Sequence, residues 1–386
     1  MNSLRIAMIL DNAFNPDQRV LREARTLLEA GHYVTIFAWN REESSKLPDN
    51  ENIEDIDVRR IRVPTGKQLG LKQVPKYLDF LIHLLRVESF DKYDVIHCHD
   101  LPSLVIGAIL KIIKKKTIIY DAHEIYWIME SHKYPSAILR FIKYFEICLL
   151  KFADSMVTVS GNRFDYYKYF YKKNCVIIGN WYDAKNKDEK KRNDFRKQNG
   201  ISPESFVISY TGTLDKSRSI DVLVECARQL KEINAPVDWV IAGSGVLESF
   251  VKESSAQNPA IHYLGWMEDL TALYSSTDAL IYLMEPDHPY TDFNSPNNLF
   301  LSIAWRIPLI AISRGDIAET LSADGSGVLI KNVSPSSIIP RIINLYSKKN
   351  EYNNICSNLL KLQETYNWQI CAQRLVSLYN GLNPSA

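Results

Sequence analysis

At 386 residues the chain is too long for one ordinary hydrophobic core and comfortable for two domains of similar size. Apolar residues make up 46% and charged residues 24%, the balance of a water-soluble globular protein. A net charge of +1 argues against nucleic acid as the main partner, because phosphate binding leaves a basic signature. The six cysteines (Cys98, Cys148, Cys175, Cys226, Cys356, Cys371) show no C-x-x-C spacing and read as reduced cytosolic thiols. Residues 4–10 are too short for a signal peptide, and the apolar stretches 104–113 and 137–153 are too short or too interrupted by charge to span a membrane. Attachment to a membrane surface stays open.

Apolar runs of strand length alternate with helical segments from the start, as in a doubly wound parallel sheet. Strands are expected at 6–10, 34–38, 58–63, 95–97, 117–120, 156–159 and 176–178, with a helix at 18–30 closed by Gly31. Ligands gather at the carboxyl ends of such strands. That rule points to the loops 11–17, 97–102, 121–125 and 160–162. The first, D-N-A-F-N-P-D-Q-R-V, lacks the G-x-G-x-x-G of a dinucleotide site. Asp17 and Arg19 read either as ligand contacts or as a helix cap and an ion pair with Glu23 one turn on.

His97, Cys98, His99 and Asp100 invite a metal reading, which is set aside because no second ligand pair stands at a recognisable spacing. Y-D-A-H-E, residues 120–124, presents Asp121, His123 and Glu124 directly after a buried strand. His123 reads either as a mostly neutral imidazole that orients a hydroxyl or as a structural histidine. Residues 137–154 form an amphipathic helix expected to pack on the sheet, with an interfacial role as the other reading.

The charged run 185–197 has no apolar period and reads as a solvated linker or loose helix holding the domain boundary. Strands resume at 206–210, 237–242, 261–264, 279–284, 308–312 and 328–330, which makes a second parallel sheet. Gly212 follows the first of them, and its missing Cβ lets backbone approach a ligand. Lys216 and Arg218 come next, either aimed at that ligand or paired with Asp215 or Asp221. Gly243 and Gly245 end the second strand; Trp266, followed by Met267, is either a ligand contact or a core aromatic. In S-P-N-N-L-F-L-S-I-A-W-R-I-P-L-I, Ser295 suits an N-cap and Pro296 the first helical position. The helix would then open at Asn297 and Asn298, either as an anion site or as an ordinary capped core helix. Trp368, Ile370, Leu375 and Leu378 mark a last helix.

These segments together resemble the family 4 glycosyltransferases of the GT-B fold over nearly the full length. Residues 295–310 resemble S-P-x-K-L-F-E-Y-M-A-x-G-x-P-V-I; Pro16, Asp17, Arg19, Val20, Glu23 and Ala24 match P-D-x-R-V-x-x-E-A. Residues 121–124 match D-A-H-E, residues 212–219 resemble the phosphate loop G-R-L-x-x-x-K-G, and Glu319 fits G-x-x-E. The resemblance implies two Rossmann-like α/β domains facing across a cleft: 1–184 binding the acceptor, 185–364 binding a nucleotide sugar, and 365–386 crossing back as a helix. It implies a retaining transfer, without metal or cofactor, from a UDP- or GDP-linked sugar to a saccharide or lipid-linked acceptor in cytoplasmic assembly of surface polysaccharide such as lipopolysaccharide or capsule.

Carried over by position, the catalytic residues would be His123, Lys216 and Arg218. The donor would meet Gly212, Thr213, Gly243, Gly245, Trp266, Met267, Asp292, Ser295, Pro296, Asn297 and Asn298. The acceptor would meet Asp17, Arg19, His99, Asp100 and Glu124. Four positions depart from the family: Asn298 replaces a lysine, Leu301 the ribose carboxylate, Phe293 a glutamate and Thr213 an arginine. These leave open an inactive homologue serving as a binding subunit, or an enzyme for another donor in which Asp292 or Glu285 replaces the lost carboxylates.

Overall fold

The structure, a computed structural model, describes residues 3–15, 17–66, 70–322 and 324–382; Pro16 of the opening motif lies outside them. The chain forms two compact units, residues 1–179 together with the C-terminal helix from 369, and residues 180–368.

In the first unit, β1 (Arg5–Leu10), β2 (Tyr33–Asn40), β3 (Asn50–Ile53), β4 (Ile56–Arg62), β5 (Val95–His99), β6 (Thr117–Ala122), β7 (Ser155–Thr158) and β8 (Asn174–Ile177) form one sheet. Its order is β3-β4-β2-β1-β5-β6-β7-β8. Every pairing is parallel except β3 with β4. Strands β5 and β6 are buried at every residue, which is why they read as unbroken apolar runs instead of alternating ones. The β3–β4 hairpin escapes the sequence pattern because N-E-N-I carries one apolar side chain and turns at Glu54 and Asp55, both at positive φ (53° and 66°).

The second unit has six parallel strands, β9 (Phe206–Thr211), β10 (Val237–Ala242), β11 (Ile261–Gly265), β12 (Ala279–Tyr282), β13 (Leu309–Ile312) and β14 (Val328–Ile330), in the order β11-β10-β9-β12-β13-β14. Its first residues join it earlier than the charge pattern suggested. Lys185 N–H donates to Ala304 O at 2.8 Å, Asn180 Nδ2 to Ser295 O at 3.3 Å and Lys187 Nζ to Thr277 O at 2.5 Å.

The charged run is not a solvated linker. Asp188 caps a helix, Glu189–Gln198, by accepting from Lys191 N at 3.0 Å. Arg196 on that helix is fully buried, donating to Ser205 O at 2.8 Å, Pro203 O at 2.9 Å, Ser276 O at 3.0 Å and Asp278 Oδ2 at 2.8 Å. A guanidinium with its donors satisfied in this way is packed like core, which no hydropathy pattern registers.

The last helix, Trp368–Asn380, packs within the first unit. Gly179 N–H donates to Cys371 Sγ at 3.3 Å, Arg374 Nη1 donates to Ile177 O at 3.1 Å, and the Tyr379 hydroxyl meets His97 Nδ1 at 2.9 Å.

Candidate active site

In the first unit the carboxyl ends of β1, β5 and β6 bring Arg19, Glu23, His97, His99, Asp100, Asp121 and His123 into one network. Asp17 caps the helix Gln18–Glu29, its Oδ1 accepting from Arg19 N at 3.0 Å and Val20 N at 3.3 Å, so that oxygen serves the backbone. Arg19 is buried. Its Nη2 donates to both Asp121 oxygens at 3.0 Å and lies 3.1 Å from Glu23; Nη1 donates to Ile178 O at 2.6 Å. Burial opposes the Asp121 charge, but Arg19 and then His123 overrule it and hold the carboxyl well below the usual carboxylate range. Burial, and the neighbouring Asp121 charge, push Glu23 up to about 8.

His99, expected as an acceptor contact, is buried, and its Nδ1 lies 3.1 Å from His123 Nε2. Asp100 adopts φ 63°, unusual for a residue with a Cβ, and its Oδ1 accepts from His123 N at 3.0 Å and Glu124 N at 3.3 Å. It therefore fixes the loop that carries His123. Glu124 is paired with Arg163. Burial pushes Asp100 up to about 7.

His123 Nε2 faces Asp121 Oδ2 at 3.3 Å, and its Nδ1 lies 3.7 Å from Asp100. Burial opposes its charge, but Asp121 and then Asp100 raise its pKa to about 10, while Arg19 Nε donates to its Nε2 at 3.3 Å. The two carboxyls that the fold places around it thus favour charge on a ring that was expected to be mostly neutral.

Four groups able to bind metal, on Glu23, His97, His99 and Asp121, lie within 4.8 Å of one another, although no spacing in the sequence announces them. The Arg19 guanidinium already touches the two carboxyls of that cluster. A second cation there would face it without water between, so the residues present do not fit a metal.

In the second unit the turns after β9 and β10 stack backbone on backbone. Gly212 N–H donates to Ala242 O at 3.1 Å and Leu214 N–H to Ser244 O at 2.9 Å. A Cβ on Gly243 (φ 153°) would lie 1.8 Å from Gly212 O, so only glycine fits; Gly245 is similarly close to Leu214 O. Thr213 is exposed and its carbonyl accepts from the Tyr210 hydroxyl at 2.6 Å. Asp215 caps the short turn Lys216–Arg218 by accepting from Arg218 N at 3.2 Å. The Arg218 guanidinium donates to the Tyr282 hydroxyl and lies over its ring, and Asn294 Nδ2 donates to the same hydroxyl at 2.8 Å. Among the described residues neither Lys216 nor Arg218 forms an ion pair with Asp215 or Asp221.

The helix Asn297–Trp305 begins one residue later than the sequence suggested, because Pro296 is extended (ψ 147°) and is itself the N-cap. Ser295, next to Asn294, is buried, and its Oγ has no hydrogen-bond partner among the described residues. Asn298 turns inward: its Oδ1 accepts from Thr211 Oγ1 and its Nδ2 donates to Thr211 O, both at 2.9 Å. Only its backbone N–H is left for a ligand. Asn297 Oδ1 accepts from the Tyr182 hydroxyl at 3.3 Å. Asp292 is exposed and held by Arg314 at 2.7 and 2.8 Å. Trp266 is 70% exposed, which removes the core reading; Met267 beside it is half-buried.

Sequence reasoning missed Tyr282 and Asn294, which sit at a strand end and in a polar turn with no motif to mark them. It pointed to the loop 11–17 without singling out Asp11, at the end of β1, whose carboxyl burial raises from its ordinary value. The position at the carboxyl end of the first strand was its one available signal.

Comparison with known proteins fits this two-unit arrangement. The family model described as Glycosyltransferase Family 4 matches residues 17–186, and that described as Glycosyl transferases group 1 matches residues 205–348. The chain belongs to the family 4 glycosyltransferases. An uncharacterized glycosyltransferase of Methanocaldococcus jannaschii is 24% identical over 373 residues, 92% of this chain and 91% of the relative. Among solved structures, HepE of Anabaena in complex with UDP-glucose has a TM-score of 0.74 at 16% identity, covering 98% of this chain and 100% of that one. WaaG, a glycosyltransferase involved in lipopolysaccharide biosynthesis, has a TM-score of 0.71 at 14% identity with the same coverage. This family 4 glycosyltransferase has the GT-B fold of two parallel-sheet α/β domains. No described helix is long and apolar enough to cross a membrane.

Proposed function

We propose that this glycosyltransferase moves a sugar from a UDP- or GDP-linked donor to a saccharide or lipid-linked acceptor, with retention and without a metal or other cofactor, in cytoplasmic assembly of surface polysaccharide. The observation that carries the reading is the run Arg218–Tyr282–Asn294–Ser295, which leads by contacts from a cation with no carboxylate partner among the described residues to a buried hydroxyl with no hydrogen-bond partner among them, beside a helix N-terminus. Such a place favours a diphosphate: the first helical N–H groups are free by geometry and the dipole is positive there. As the glycosidic bond breaks, charge develops on the departing diphosphate. Arg218 and Lys216 meet it together with the N–H groups of Asn297 and Asn298. The glycine turns at Gly212, Gly243 and Gly245 let backbone approach the donor, with Trp266 and Met267 at its base. In the other unit His123, charged and fixed by Asp100, donates a hydrogen bond to the sugar or acceptor, while Arg19 and Asp121 hold it in place. The HepE complex with UDP-glucose supports the donor class, and WaaG supports the polysaccharide role.

Calorimetric titration with UDP, GDP and ADP in the presence of a chelator tests this reading. Saturable binding of UDP or GDP is expected. No heat with any nucleoside diphosphate would sink it.

A further inference from the structure

In the first unit a cavity of about 1100 Å³ opens at the carboxyl ends of the strands, beside Asp11 and Asp100. It stands at the top of the size range for small-ligand pockets, with room for more than one sugar ring. Its deep end is polar. Asp100 holds the loop of His123, and Asp11 carries no hydrogen bond to another side chain among the described residues. Its walls are not. Trp39, Tyr77, Tyr126 and Phe145 line it, with aliphatic side chains between them.

Two further observations identify what such a space would hold. Arg41, also on the wall, lies over the Trp39 ring at 5.2 Å, donates to Gln73 Oε1 at 3.5 Å and by its charge lowers the Asp11 carboxyl against the burial that raises it. It forms no ion pair within 4.0 Å among the described residues, so its guanidinium can take an anionic group as partner. Phe145 belongs to the helix Ser136–Leu150, which was expected to pack on the sheet but buries only Ile142, Glu146 and Leu150. On the same helix Phe141 and Tyr144 are 69% and 63% exposed, next to Arg140 and Lys143. The apolar lining thus continues out of the cavity onto an aromatic face edged with positive charge. A free saccharide would stack on the rings inside the cavity but leave the aliphatic wall and that outer face uncovered. An amphiphile would match both.

We propose that the acceptor is lipid-linked: an anionic linkage lies at Arg41, the chain next to it runs along Tyr126 and Phe145, and the acceptor hydroxyl lies toward Asp100 and His123. This rests on the sugar-transfer reading above and narrows it to one acceptor class.

The test is calorimetric titration of the full chain with dodecyl phosphate below its micelle concentration, with inorganic phosphate as control. Saturable one-site binding of dodecyl phosphate but not of phosphate is expected. Arg41→Gln is expected to weaken it about tenfold, the usual size of a lost charge-assisted contact. Val105→Trp, which fills the cavity, is expected to abolish it. Quenching of Trp39 fluorescence by a bromoalkyl phosphate, lost in Trp39→Phe, locates the site even if the Val105 variant misfolds. Nucleoside diphosphate is titrated into the same samples. Nucleotide binding without dodecyl phosphate binding, or dodecyl phosphate binding indifferent to Arg41→Gln and to Trp39→Phe, overturns this inference and leaves the sugar-transfer reading intact. Absence of nucleotide binding removes that reading, and the acceptor assignment with it.

Discussion

Arg19 and Arg218 show how differently two arginines act when the fold decides what surrounds them. Arg19 has its guanidinium divided among Asp121, Glu23 and Ile178 O in the interior, so it positions its neighbours instead of meeting a ligand. Replacing it by methionine would take from buried Asp121 its bidentate partner and leave His123 as its nearest balancing group. The expected loss is about 3 kcal/mol or more, seen as a lower urea midpoint with unchanged slope. A midpoint within experimental error of wild type would show that the pair does not hold this network together. Among the described residues the Arg218 guanidinium rests on an aromatic ring and its hydroxyl. Arg218→Ala is therefore expected to leave stability nearly unchanged while lowering turnover by about two powers of ten, as when an electrostatic donor to a developing charge is removed. Unchanged turnover would take Arg218 out of the mechanism. The sequence offers Arg19 as an acceptor contact or as a partner of Glu23 and does not show Asp121, because that main partner lies 102 residues away.

The helix Asn297–Trp305 and its flanks show which part of an element a sequence reveals. Its apolar spacing, and the strand after it, were legible because burial writes them into residue type. Its start was not, since Ser-Pro suits two entries that differ only in the ψ of Pro296. The same limit hid the β3–β4 hairpin and the helix Glu189–Gln198, whose composition is polar although Arg196 is core. The helix closes at Arg306 in a left-handed conformation (φ 54°), where the family pattern has glycine. An L-residue pays for that conformation with a clash at Cβ that glycine avoids. Arg306→Gly is expected to raise stability by about 0.5–1 kcal/mol, the clash relieved less the added freedom of the unfolded chain. The lost bond from Arg306 Nη2 to Asn186 at 3.3 Å is exposed and offsets little. A lower urea midpoint in the variant would show that this contact outweighs the strain.

For the whole molecule, the strand pattern announced two parallel sheets, but not the charge stored under one of them, and that charge sets how the protein responds to pH. His123 is raised from 6.5 to about 10, Glu23 from 4.5 to about 8 and Asp100 from 3.8 to about 7. Each binds its proton more tightly folded than unfolded, so each contributes stability that is complete below the unfolded value and is lost as pH rises through the folded one. His97, lowered to about 4 by burial, and His99, also lowered by burial, act in the opposite sense, but only below 6.5, where an unfolded histidine gains its proton. Asp121 adds a loss confined to strong acid. Below 6.5 the contributions oppose one another; above it they agree. The melting temperature is thus expected to fall steadily as pH rises from 6.5 to 9, with at most about 1.4 kcal/mol per pH unit for each proton held. Above the ordinary thiol value of 9, buried Cys98 and Cys226, which burial pushes up, extend the loss in the same direction. Between 8 and 9 His123 is the network group that still holds its extra proton, so His123→Gln is expected to flatten the slope there and to leave the fall between 6.5 and 8 partly in place. Scanning calorimetry of both proteins across that range decides it, because the thiol contribution cancels in the difference. Parallel curves would mean that His123 is neutral in the folded protein, and the charged hydrogen-bond donor assigned to it would have to be replaced by a neutral one.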